Sequence, residues 1–199
     1  MRKGQQEILS AVLLTGILIT VVGSVYLWGL PLIQKNRSAA TLESAELFSK
    51  NLAEKIKFIA NTGGKDQMTI NIPGVVFFNN ESGTIETALQ TEGTIYSTEG
   101  EIPILGDSCY INDTKIWGKD SPEIICVITK NIGENKYTTD YITGFRKLQA
   151  GNKIYKISLV GDISSGGTDH KITIENIGSK STPDSENVLI ETFIKISII

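Results

Sequence analysis

Histidine is almost absent from the 199-residue chain: His170 is the only one. Cysteine is scarce too, with Cys109 and Cys126 and no CxxC spacing. A zinc site needs a cluster of such ligands, so this scarcity argues against one. A Ser/His/Asp set would have to use His170, which lies in a Gly-Ser-rich stretch. GxSxG, HExxH and a Gly-rich phosphate loop are all missing from the sequence. Carboxylates are scattered over short polar segments, as on a solvated face. These absences exclude most catalytic classes and point to a protein without enzymatic activity, cofactor or metal.

A clustered basic face is missing as well. Residues 1–60 carry seven Lys/Arg and four Glu, whereas residues 61–199 carry twelve Lys/Arg against eighteen Asp/Glu. A mildly acidic outer part does not suit a nucleic-acid partner. It suits a soluble, exposed domain. In an exported domain the two cysteines most simply form one disulfide, worth roughly 3 kcal/mol. The alternative is two buried free thiols.

Charge is missing altogether from residues 8–34. A helix over that run is about 40 Å long, enough to cross a bilayer with tilt. The run is longer than the apolar core of a secretory signal. Tyr26, Trp28 and Pro31 occupy the place of a cleavage site, and the two aromatics suit a membrane–water interface. Arg2 and Lys3 precede the span and Lys35 and Arg37 follow it, so charge sets its orientation weakly. Gly16, Thr20 and Ser24 step by four and form a small-residue row where another helix could approach closely.

The stretch Arg2-Lys3-Gly4-Gln5, then a glutamate and a long apolar helix, resembles the class III signal peptide of archaeal type IV pilin-like proteins. The Ser-Ala-Val-Leu-Leu run at residues 10–14 resembles the same helices. The resemblance covers about the first 60 residues. It implies that a prepilin peptidase cuts between Gly4 and Gln5, removing residues 1–4 and keeping the helix. Glu7 would then be the third mature residue, where the family usually places its glutamate fifth. The family's glutamate assists subunit docking, so Glu7 joins Gly16, Thr20 and Ser24 as a candidate helix-packing residue. The resemblance also implies an assembly ATPase and a membrane platform protein as partners.

Pro31 is expected to kink or interrupt the helix. Beyond it, Leu42, Ala45, Phe48, Leu52, Ile56 and Ile59 fall on one stripe, with Lys50, Glu54 and Lys57 off it. Glu46 precedes Lys50 by four, a stabilising pair. Gly63-Gly64 supplies a stop. The stripe is too short for a free coiled-coil seam and is expected to pack on the head. From Met68 onward the pattern changes to short strands: MTINI, VVFFN, TIETAL, GTIYST, SCYIN, IICVITK, YTTDYITGF, KIYKISLVGDI, HKITIENI and NVLIETFIKISII. GDISSGGTDH, with Asp162, Asp169 and His170, reads as a polar, mobile loop matching no ligand spacing. The expected fold is α+β: residues 5–62 form a long helix kinked near Pro31, and residues 63–199 form an all-β, sandwich-like head.

Asn36, Asn80 and Asn112 head N-x-S/T sequons. The function expected from the resemblance is that of a structural subunit of a pilus-like surface filament, a helical homopolymer serving adhesion or another appendage role. The subunit would be membrane-inserted before assembly and extracellular after it. Two rivals stand beside this: a minor pilin-like or stator-type component, and a singly anchored extracellular binding domain.

Overall fold

The computed structural model describes residues 3–184 and 187–199, with side chains described from Ser10 onward. Among the described residues, one helix, α1 (Lys3–Thr62), precedes twelve strands. These are β1 (Lys65–Thr69), β2 (Val75–Asn79), β3 (Thr84–Thr91), β4 (Glu101–Leu105), β5 (Thr114–Ile116) and β6 (Glu123–Gly133). They continue with β7 (Lys136–Phe145), β8 (Lys147–Ala150), β9 (Lys153–Val160), β10 (Ser164–Gly166), β11 (Lys171–Asp184) and β12 (Asn187–Ile198). Two six-stranded sheets result, ordered β1-β11-β12-β9-β8-β5 and β10-β2-β3-β7-β6-β4. The fold is α+β with a sandwich-like head.

The outer half of α1 is wedged between the sheets, touching β3, β6 and β7 of one and β1, β11 and β12 of the other. Its predicted stripe is the seam: Leu42, Ala45, Phe48, Leu52, Ile56 and Ile59 are all buried. Val76, Phe78, Ile85, Val127 and Tyr141 meet it from one side, and Ile172, Ile174, Ile194 and Ile196 from the other. The alternation of these strands with a period of two is what turns one face of each sheet inward. Pro31 does not interrupt the helix, which is continuous through it. Its fixed φ is helical, so the loss is confined to one donor and the strain around one ring.

The helix stops where predicted. Gly63 and Gly64 have φ of 79° and 93°, and Gly63 donates to the Ile59 carbonyl at 2.9 Å. Asn176 of β11 closes the end by donating through Nδ2 to the Ile59 and Ala60 carbonyls at 3.1 and 3.3 Å. The Ile59 oxygen thus accepts a second bond besides that from Gly63, while the Ala60 oxygen, past the reach of the helix's own donors, depends on Asn176.

Several strand expectations need correction. GTIYST is a series of bends, because hydroxyls take over the backbone: Tyr96 N–H donates to Thr94 Oγ1 at 3.0 Å and Thr91 Oγ1 donates to the Gly93 carbonyl at 2.6 Å. SCYIN is a turn; the strands on either side of it are Glu101–Leu105, which pairs with β6, and Thr114–Ile116, which pairs with β8. The MTINI strand lies further upstream, at Lys65–Thr69, while Ile70 and Ile72 are buried in the connection that follows. GDISSGGTDH contains β10, which pairs with β2. The loop is tied down by Thr168 Oγ1, which donates to the Ile72 carbonyl at 2.8 Å. In HKITIENI, a bulge between Asn176 and Gly178 turns Ile177 out to solvent while Ile172 and Ile174 stay buried.

Cys109 and Cys126 form a disulfide with Cα atoms 5.7 Å apart. Cys126 lies on the outer face of β6, so the bridge holds the 106–113 turn over that face. Ile111 fills the space left by Gly144, where any Cβ would collide with it.

Candidate functional site: the uncovered apolar helix

The feature that distinguishes this molecule lies below the head. From Ser10 to Trp28 every residue of α1 is exposed, and the apolar side chains are largely bare. Val12, Ile19, Tyr26 and Leu27 are each about two-thirds exposed or more, and Trp28 is 85% exposed. A span of this length and composition is sufficient to cross a membrane. Left in water it would be strongly unfavourable, at about 25 cal/mol per Å² of apolar surface.

Three hydroxyls within the span are satisfied inside the helix. Thr15, Thr20 and Ser24 donate through their hydroxyls to the carbonyls of Ala11, Gly16 and Thr20, each at 2.8 Å. Such back-bonding lets a hydroxyl sit in an apolar medium without an outside partner. Gly16, Gly23 and Gly29 have open space where a side chain would stand. Gly16, Thr20 and Ser24 therefore form a shallow, uncharged furrow along the bare rod. Lys35 and Arg37 follow the span and are exposed.

A polar clamp joins the rod to the head. The buried Tyr141 of β7 donates to the Leu42 carbonyl at 2.8 Å, and its hydroxyl lies 3.1 Å from that of Tyr96. Tyr96 in turn donates to Glu46 at 2.7 Å, and Glu46 pairs with Lys50 at 2.6 Å. The rings of Tyr96 and Tyr141 meet edge to face at 6.0 Å. Burial pushes the Tyr141 phenol up to about 12. Burial also raises Tyr96, reinforced by its bonds to Tyr141 and Glu46. Burial alone would raise Glu46, but hydrogen bonds from Lys50 and Tyr96 outweigh it and hold the carboxyl below its usual range.

The remaining predicted residues are dispersed. Gly4, Gln5 and Glu7 lie on the first turns of α1, and their side chains fall outside the described residues, as do Met1 and Arg2. The sequon residues Asn36, Asn80 and Asn112 are all exposed, the first on α1 and the other two in turns. Asp162, Asp169 and His170 are exposed, and no group of three or more His, Cys, Asp or Glu converges among the described residues. The clamp through Tyr96 and Tyr141 was not anticipated; its members are 45 residues apart, and neither carries a motif. No family model, no curated protein and no solved structure matches this chain.

Proposed function

We propose that this chain is the structural subunit of an archaeal type IV pilus-like surface filament. The observation that carries the reading is the continuity of α1: one rod, bare and apolar below, locked between two sheets above. In a bilayer the bare half is an anchor. In a filament the same surface is buried against the helices of other copies, with the heads outside. A helix keeps its backbone hydrogen bonds in both places, so the move needs no refolding. The contact is heterologous and does not close, so it propagates as a helical homopolymer. Lipid buries the rod equally well, and extraction therefore requires an assembly ATPase and a platform protein in the membrane. A prepilin peptidase would first cut between Gly4 and Gln5. Exposed Asn80 and Asn112 are open to N-glycosylation once the head is outside.

The test is the intact mass and N-terminal sequence of the protein from its native surface. A chain that begins at Gln5 and is recovered in fibres supports the proposal. A chain that keeps Arg2 and Lys3 and stays in membranes overturns it in favour of a singly anchored binding domain.

A further inference from the structure

The sheet that contains β9 and β12 extends beyond what covers it. Along these strands the inward side chains pass from buried (Leu159, Ile194) to half-buried (Tyr155, Ile157, Ile190). A cleft of about 300 Å³ opens there. Its floor is Tyr155, Ile157 and Ile190; its walls are the last turn of α1 and the Trp117–Pro122 loop. Trp117 is 49% exposed, and its ring rests on Tyr155 at 4.5 Å, tilted by 42°. Three bonds fix that loop. Trp117 N–H donates to the Gln149 carbonyl at 3.0 Å, Ile116 N–H to Asp120 Oδ2 at 3.1 Å, and Asp120 N–H to the Ile116 carbonyl at 2.9 Å. The indole is thus held in place with one side open.

The lining decides which chemistry fits. Lys57 and the buried Arg146 line the cleft, but each is already paired, with Glu123 and Asp107. A free anion would compete with those carboxylates. A wholly apolar ligand would gain burial on the floor but would desolvate Lys57, Asp120 and Arg146 without replacing their hydrogen bonds. A ring with an apolar C–H face and hydroxyls around its edge satisfies both demands. Its weakly positive C–H face suits the negative π face of the indole. Its hydroxyls can donate to Asp120 and accept from Lys57. The volume stands at the small end for a ligand site.

We propose that this cleft binds a ring of a neutral carbohydrate. The site lies wholly within the head and is independent of whether the chain polymerises. The test uses the full chain in lipid nanodiscs, which avoids glycoside detergents. Saturation-transfer NMR is run with three probes at millimolar concentration: methyl α-mannopyranoside, maltose and diacetylchitobiose. Transfer to ring C–H protons of at least one probe is expected, falling at least tenfold in Trp117→Ala. Asn61→Trp places a bulky side chain over the cleft from an exposed helix position and is expected to abolish the signal even if Trp117→Ala fails to fold. Silence from all three probes overturns the proposal, and so does a signal that survives Asn61→Trp.

Discussion

Single residues decide whether the head closes around the helix. Gly161 has φ of 144°, and a Cβ there would run into the Ile196 carbonyl oxygen. Gly161→Ala is therefore expected to cost about 2–3 kcal/mol, combining backbone strain with overpacking. Urea unfolding followed by tryptophan fluorescence reads this directly. Glu46 supplies a pH dependence. Its folded pKa lies below the unfolded value, so it stabilises the fold at neutral pH and loses that contribution as pH falls through the ordinary carboxylate range. Glu191 behaves the same way, held down first by Ser158 and then by Lys156. Asp140 is raised by burial and acts in the opposite sense. Glu46→Gln should flatten the acid limb of the unfolding midpoint against pH. An unchanged limb would mean that the clamp is not electrostatically coupled to folding.

Among the elements, α1 carries the core. Leu52 is fully buried at the centre of its stripe, and Leu52→Ala should cost about 2–5 kcal/mol. Removing the Asn176 side chain should cost about 1 kcal/mol, since the Ala60 carbonyl loses its donor and the Ile59 carbonyl keeps only the bond from Gly63. Reducing the disulfide, which spans a sequence separation of 17, should cost roughly 3 kcal/mol. Its effect should be local, with hydrogen exchange rising first in the 106–113 turn. The helix stripe was legible because a period of 3.6 imprints itself on neighbouring residues. The long strands were legible for the analogous reason. Strand order was not, because partners such as β9 and β12, which run parallel, meet across more than thirty residues of chain. The bends at residues 93–98 were missed because β-branched and aromatic residues there suggested a strand, while hydroxyl-to-backbone bonds settled the matter. Trp117 and Tyr155 signalled nothing individually, since their cleft is assembled from α1, the strands β8, β9 and β12, and a loop.

On the scale of the whole molecule, the proposed filament rests on the rod. Gly16→Leu should leave membrane insertion intact and reduce filament yield, because lipid accommodates bulk and a close helix contact does not. Counting fibres by electron microscopy against membrane-bound subunit by immunoblot separates the two effects. Normal fibres from Gly16→Leu would remove the furrow from the interface.

The clamp at Leu42 and the stripe above it also have a mechanical meaning. Tension on the lower rod would enter the head along the helix axis, parallel to the seam rather than across it. The stripe from Leu42 to Ile59 would then be loaded in shear, all its contacts sharing the force at once instead of peeling one by one. Tyr141, bonded to a carbonyl at the mouth of the seam, would be the first polar contact to feel the pull. A head threaded on its own stem in this way would be far harder to strip off than one tethered by a flexible linker.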